Sequence, residues 1–194
     1  VDLASGLAEL RNTRLWAAYA TSGLIIGATF AAFSYVTAIF TVVTGLAPRL
    51  IPIVLAAYGV ATVIGNLIVG RLADRHTIPV LAIGLVVLAA ALASFAAVPT
   101  DAAVSVAAFL VIGLTGVSLN PAMVARVMRV AHPGPLVNSL HTSVITGGLA
   151  FGTWLGGLAI DRGYGLAAPL WIGAGLAVLG LLSLVPRRAR DLTA

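Results

Sequence analysis

The sequence predicts an all-α, polytopic membrane protein of six transmembrane helices, and three observations carry that reading. First, 60% of the 194 residues are apolar and only 9% are charged, where a soluble domain carries about 25% charged residues. Second, the mean hydropathy is +1.10. A single soluble core of this length cannot bury so much apolar surface, and a disordered chain would be polar and highly charged. Third, the apolar residues fall into six runs, each near or above the length that crosses ~30 Å of hydrocarbon. Open strands in lipid would leave their backbone unpaired, and the short alternating strands of a β-barrel are absent.

The runs follow in order. They cover residues 15–43, 51–69, 78–98, 103–125, 136–160 and 168–185. The links between them are short and proline-marked. Pro48 and Pro52 bracket the first, Pro99-Thr100-Asp101 makes the third, and His132-Pro133-Gly134-Pro135 makes the fourth. A basic tail, 187–194, ends the chain. The opening Val1-Asp2-Leu3 has no initiator Met and no signal-peptide pattern, and reads as the interior of something longer.

All eleven basic residues are arginine, and the formal net charge is +5. Nucleic-acid binding needs a basic face on a soluble domain. Here the arginines sit between apolar runs, so their anionic partner is the lipid headgroup layer. They also orient the chain. Arg11, Arg14, Arg71, Arg75, Arg126, Arg129, Arg187, Arg188 and Arg190 fall on one side, and only Arg49 and Arg162 on the other. Nine against two is a positive-inside signal. It places both termini in the cytoplasm, which requires an even number of spans. The absence of Cys excludes disulfides and thiolate metal sites, and no metal or other cofactor is expected.

Gly148, Gly152 and Gly156 recur every four residues in the fifth run, and Gly23 and Gly27 repeat the spacing in the first. Small residues at this period let helix backbones approach closely in lipid, so packing is their expected role. A longer echo appears at a shift of 87 residues. Gly65, Gly70, Asp74 and Arg75 fall on Gly152, Gly157, Asp161 and Arg162. With three spans per unit, the two copies lie on opposite sides of the membrane, a known transporter construction of inverted repeats.

The segment from Gly65 through Gly70-Arg71-Leu72-Ala73-Asp74-Arg75 resembles the Gly-x-Leu-Ala-Asp-Arg loop motif of the major facilitator superfamily. Asn66, Phe33-Ser34-Tyr35-Val36-Thr37, Asn120-Pro121 with Arg126-Val127-Met128, and Trp154 to Asp161 are similar to bacterial drug and sugar efflux permeases of the twelve-helix drug:proton antiporter branch. The resemblance implies the C-terminal half of a twelve-helix transporter in a bacterial inner membrane. Residues 1–14 are then the cytoplasmic end of its central loop. The partners implied are an N-terminal half, a small-molecule substrate and protons. The chain departs from the motif at His76-Thr77-Ile78-Pro79, where basic residues usually follow, and at His141, where the family usually carries Asn.

On this reading Gly70, Asp74 and Arg75 form a conformational gate: Asp74 accepts hydrogen bonds from a neighbouring helix in one state only. The apolar runs contain no Asp, Glu or Arg, so the main proton site is not expected in this chain. His141 is the ionisable residue deepest in a run, and it shares a helical face with Ile145, Gly148 and Gly152. His141, Asn66, Asn120, Asn138 and Tyr35 are the candidate cavity or coupling residues; hydrogen bonding between helices is the competing role for His141 and the asparagines, and interface anchoring for Tyr35 and Trp154. The function expected is proton-coupled efflux of small organic molecules, drugs or sugars, by alternating access. No phosphate-binding loop for ATP is present. A non-transporting six-helix scaffold is one alternative. An intramembrane serine protease using Ser118 and His141 is another, although the Gly-Val-Ser-Leu stretch at 116–119 lacks the second Gly of a Gly-x-Ser-Gly loop.

Overall fold

The computed structural model describes residues 3–132 and 134–185. Residues 1 and 2, Pro133 and the expected tail with Arg187, Arg188 and Arg190 lie outside the described residues. Among the described residues every regular element is helical. A short α1 (Leu3–Glu9) stands where a loop is expected. Then come α2 (Thr13–Phe33), α3 (Val36–Ala38) running into a π-turn at Ile39–Val43, and a 3-10 turn at Pro48–Leu50. The long α4 (Ile51–Ala97) follows, then α5 (Ala102–Thr115), α6 (Asn120–Val130), α7 (Pro135–Asp161) and α8 (Ala168–Ser183).

Among the described residues, four stretches are long and apolar enough to cross a membrane: Thr13–Val43, Pro48–Ala97, Ala102–Val130 and Pro135–Asp161; α8 is a shorter apolar helix. Their exposed side chains include Val63, Ile64, Leu67, Ile68 and Val86, as expected of surfaces solvated by lipid.

Interruptions in the helices have local causes. α4 is non-helical at His76, with φ −131° and ψ 43°. Pro79 has no N–H to give to the Arg75 carbonyl, and its ring crowds that carbonyl. The Thr77 hydroxyl donates to Ala73 O at 2.5 Å. The helix therefore reverses over a single residue. Limb 51–75 runs six residues past the end of the apolar run at Val69, and limb 77–97 returns. Phe40 stacks on Phe95 of the returning limb, and Phe109 packs on both Phe40 and Tyr58 of the first limb. These rings form the centre of the core, with Leu85, Leu88 and Ile112 fully buried around them.

Gly116 and Pro121 break the fourth run into α5 and α6, joined by a 3-10 turn at Val117–Leu119. α6 then continues to Val130, beyond the expected end at Ala125. Side-chain caps start two helices. Asn12 accepts from Arg14 N, and Asp101 accepts from Val104 N at 2.9 Å. Glycines at positive φ follow two helix ends, Gly45 after the π-turn and Gly163 after α7.

The helices meet at two distinct ends. At one, Asn12 Nδ2 donates to Val130 O (2.6 Å), Arg129 donates to Asp74 O, and His132 pairs with Glu9 (3.0 Å). At the other, Ser34 bonds Thr153 (2.8 Å) and the Thr44 hydroxyl donates to Pro99 O (2.8 Å). Arg11, Arg14, Arg71, Arg75, Arg126 and Arg129 belong to the first end, and Arg49 and Arg162 to the second.

Candidate functional site

Of the four pairs in the 87-residue echo, Gly65 and Gly152 do equivalent work. A Cβ on Gly65 of α4 would collide with the Leu114 backbone of α5. A Cβ on Gly152 of α7 would collide with the Gly27 backbone of α2. Each is thus a backbone crossing between two helices, α4 on α5 and α7 on α2. Asp74 and Asp161, nine residues beyond each crossing, lie at opposite ends of the molecule.

Gly148, Gly152 and Gly156 form one seam on α2. Gly148 faces Gly23, Gly152 faces Gly27, and Gly156 faces the Ala31 carbonyl and the Tyr35 ring. The Tyr35 hydroxyl donates to Thr153 O at 2.7 Å, which ties the end of this seam. Gly157 lies under the same hydroxyl, 2.6 Å from where its Cβ would sit.

His141 continues the seam toward the arginine-rich end. It is 5% exposed and its Nε2 lies 2.9 Å from Ser22 Oγ. Ser22 donates its own proton to Ala18 O (3.1 Å). With that proton on Ala18 O, the Ser22 oxygen is free to accept from His141 Nε2. Tyr19 stacks on the imidazole at 5.7 Å, and its hydroxyl donates to Val137 O at 2.7 Å. The imidazole therefore faces α2 and joins two helices.

The asparagines are placed differently. Asn66, Asn120 and Asn138 are exposed on α4, α6 and α7 respectively, and no hydrogen bond joins any of their side chains to His141. On α7, Asn138, Ser139, Thr142, Ser143 and Thr146 form an exposed polar strip. Thr142, Ser143 and Thr146 bond the carbonyls four residues earlier. Farther along α7, an open groove of about 380 Å³ is lined by Tyr35, Leu149, Thr153, Trp154, Gly157 and Asp161.

Gly70, Asp74 and Arg75 lie together near the break of α4, all exposed. A Cβ at Gly70 would meet nothing within 4 Å. Apart from the Arg129 bond to the Asp74 backbone carbonyl, the described residues leave the segment uncovered. The protease arrangement does not form. Ser118 is buried and donates to Gly113 O and Leu114 O, while His141 is engaged with Ser22.

Sequence reasoning missed three side chains. Ser22 and Tyr19, the partners of His141, lie more than a hundred residues away in the chain and carry no local signal. Arg126 was read as a topology charge and as part of the family resemblance, not as a bonding group, yet it sits inside α6 and donates to Thr21.

Comparison with known proteins adds an independent line. The Major Facilitator Superfamily model matches residues 8–193. The MFS-type transporter YtbD of Bacillus subtilis (strain 168) is 30% identical over 178 residues, covering 89% of this chain and 44% of the relative. The chloramphenicol resistance protein of Streptomyces lividans is 28% identical over 189 residues, 97% of this chain and 48% of the relative. The inner membrane transport protein YdhP of Escherichia coli (strain K12) is 32% identical over 180 residues, 91% of this chain and 46% of the relative. The chain spans about half the length of the curated relatives it matches.

Proposed function

The chain belongs to the major facilitator superfamily, and from that premise we propose that it works as the C-terminal half of a secondary transporter that exports small organic molecules by alternating access. Six crossings, with α4 supplying two, put the arginine-rich end and both termini in the cytoplasm of a bacterial cell. A second half of the protein packs against the face this half leaves open.

The observation that carries the reading is the exposed Gly70-Asp74-Arg75 segment at the arginine-rich end. A side-chain-free helix position beside a carboxylate fits a contact made with another helix in one state and released in the other. Asp74 is then the cytoplasmic gate, and Gly70 allows the close approach. The polar strip of Asn138, Thr142 and Thr146, with Asn66 and Asn120, faces the substrate path. Proton coupling resides mainly in the other half. The name of the Streptomyces lividans relative makes chloramphenicol the first compound to test, ahead of a panel of sugars.

The test is flux in proteoliposomes of the full-length protein under an imposed pH gradient. Export that collapses with a protonophore supports the reading. Flux insensitive to the gradient refutes proton coupling. No flux of any compound by folded protein favours a scaffold. Labelling of Ser118 by a serine-reactive probe would reopen the protease alternative.

A further inference from the structure

We propose that Arg126 is the centre of an anion site for a phosphate group at the arginine-rich end, between α2, α6 and α8. The inference stands independently of transport.

Arg126 is only partly exposed and lies one turn before the end of α6, about 6 Å along the axis from Val130 at 1.5 Å per residue. Arg126 follows directly on the apolar run that ends at Ala125, a position that suits the headgroup layer rather than the hydrocarbon centre. Its Nη1 donates to Thr21 Oγ1 at 2.5 Å. Thr21 is 1% exposed, and its hydroxyl lies 2.5 Å from Ser183 Oγ at the end of α8.

The proton count shows what remains. Ser183 donates to Gly180 O (2.5 Å), and Thr21 has its proton for Ser183 or for Ala17 O (3.0 Å). Both hydroxyls are used up. A guanidinium carries five N–H donors in a rigid fork, and Arg126 spends one on Thr21. Thr21 is thus a positioning residue: it pins Nη1 of the fork, and no other protein acceptor among the described residues takes the remaining N–H groups.

No carboxylate answers this charge among the described residues. Among them, Glu9 is engaged with the His132 imidazole. Asp74 offers its backbone carbonyl to Arg129. Around Arg126 the same end carries Arg11, Arg14, Arg71, Arg75 and Arg129. A partly buried charge requires a counter-charge with matching hydrogen bonds, and a phosphate takes two parallel N–H bonds from a guanidinium fork. Basic pockets between transmembrane helices on the cytoplasmic side suit lipid phosphates, and free phosphate presents the same oxygens.

The experiment places the full-length protein in phosphatidylcholine nanodiscs and follows thermal unfolding by tryptophan fluorescence. Phosphatidylglycerol is added in steps to one series and inorganic phosphate to another. The native protein should be stabilised in a saturable way. Stabilisation by phosphatidylglycerol alone identifies a lipid headgroup, and stabilisation by phosphate in phosphatidylcholine identifies a soluble anion; either supports the site. Thr21→Val and Arg126→Lys should each require roughly tenfold more ligand, Arg126→Gln should lose the response, and Arg71→Gln should respond as the native protein does. The proposal is overturned if neither probe stabilises the native protein, or if Arg126→Lys responds like the native protein. Because the lysine variant keeps the charge, that last arm decides the matter even if Arg126→Gln does not fold.

Discussion

Replacing Gly152 by alanine should destabilise the protein, even though alanine is the better helix former. The propensity gain is up to ~1 kcal/mol. Against it stands the new methyl, which would arrive 2.7 Å from both Cα and the carbonyl carbon of Gly27. Backbone cannot rotate aside as a side chain can, so α2 and α7 must separate. Overpacking of this kind costs about 1–3 kcal/mol, and in lipid the seam depends on close van der Waals contact. The separation is shared with Gly148 and Gly156 on either side, so the upper part of that range applies. The net loss is about 1–2 kcal/mol, a fall in melting temperature of roughly 2–8 °C. Gly147→Ala is the internal control. Its Cβ would meet nothing within 4 Å, so only the propensity term operates and stability should hold or rise. Thermal unfolding of the full-length variants in detergent, followed by tryptophan fluorescence, compares the two. Equal melting temperatures for Gly152→Ala and Gly147→Ala would refute the seam as a steric constraint.

Asp74→Asn should fold normally, because the side chain is exposed and the Arg129 contact uses the backbone carbonyl. It should shift the balance of inward- and outward-open states at least about tenfold, since charge-assisted bonds are worth ~1.5–3 kcal/mol; unchanged turnover and cytoplasmic accessibility in the full-length protein would leave the segment a topological role only. This chain has no Cys; single cysteines at Asp101 and Arg129, with any Cys elsewhere in the full-length protein replaced, should label from opposite sides of the membrane. Labelling from one side would contradict the six-crossing arrangement. Tyr35→Phe deletes the 2.7 Å bond to Thr153 O and should lower stability by about 1 kcal/mol, read as a fall in melting temperature with the fold retained.

The fold was legible where the signal is local. The period that puts His141, Ile145, Gly148 and Gly152 on one face is a property of the helix itself, and that face is the one carrying the α2 seam. Helix ends were less legible, because hydropathy and helicity stop at different places. The apolar run ends at Val69 while the first limb of α4 carries Gly70 to Arg75 in helix. The fourth run likewise ends at Ala125 while α6 holds Arg126 and Arg129. Both truncations hid charged side chains on ordered backbone. The partner of His141 was not legible at all. A serine 119 residues away is brought to it by the crossing of two helices, and no spacing rule encodes that. For the candidate site, the sequence named Asn66, Asn120 and Asn138 as polar residues in apolar surroundings; their exposure is a matter of helix rotation, which neighbouring helices set.

The break in α4 has a mechanical consequence. Two limbs of a 47-residue helix are joined at His76 alone, so the joint has a single pair of soft dihedrals and no slack. Opposite it, α7 and α8 are linked by residues 162–167, with Gly163 and Gly165 both at positive φ, and Gly45 gives similar latitude before Pro48. The compliance of the molecule is therefore unequal from end to end. A displacement imposed on limb 51–75 reaches limb 77–97 along the chain through that one residue. The same displacement at the far end can be taken up in the glycine-bearing links. A push arriving near Asp74 acts beside a one-residue hinge at the arginine-rich end, while the far end turns on glycine-bearing links.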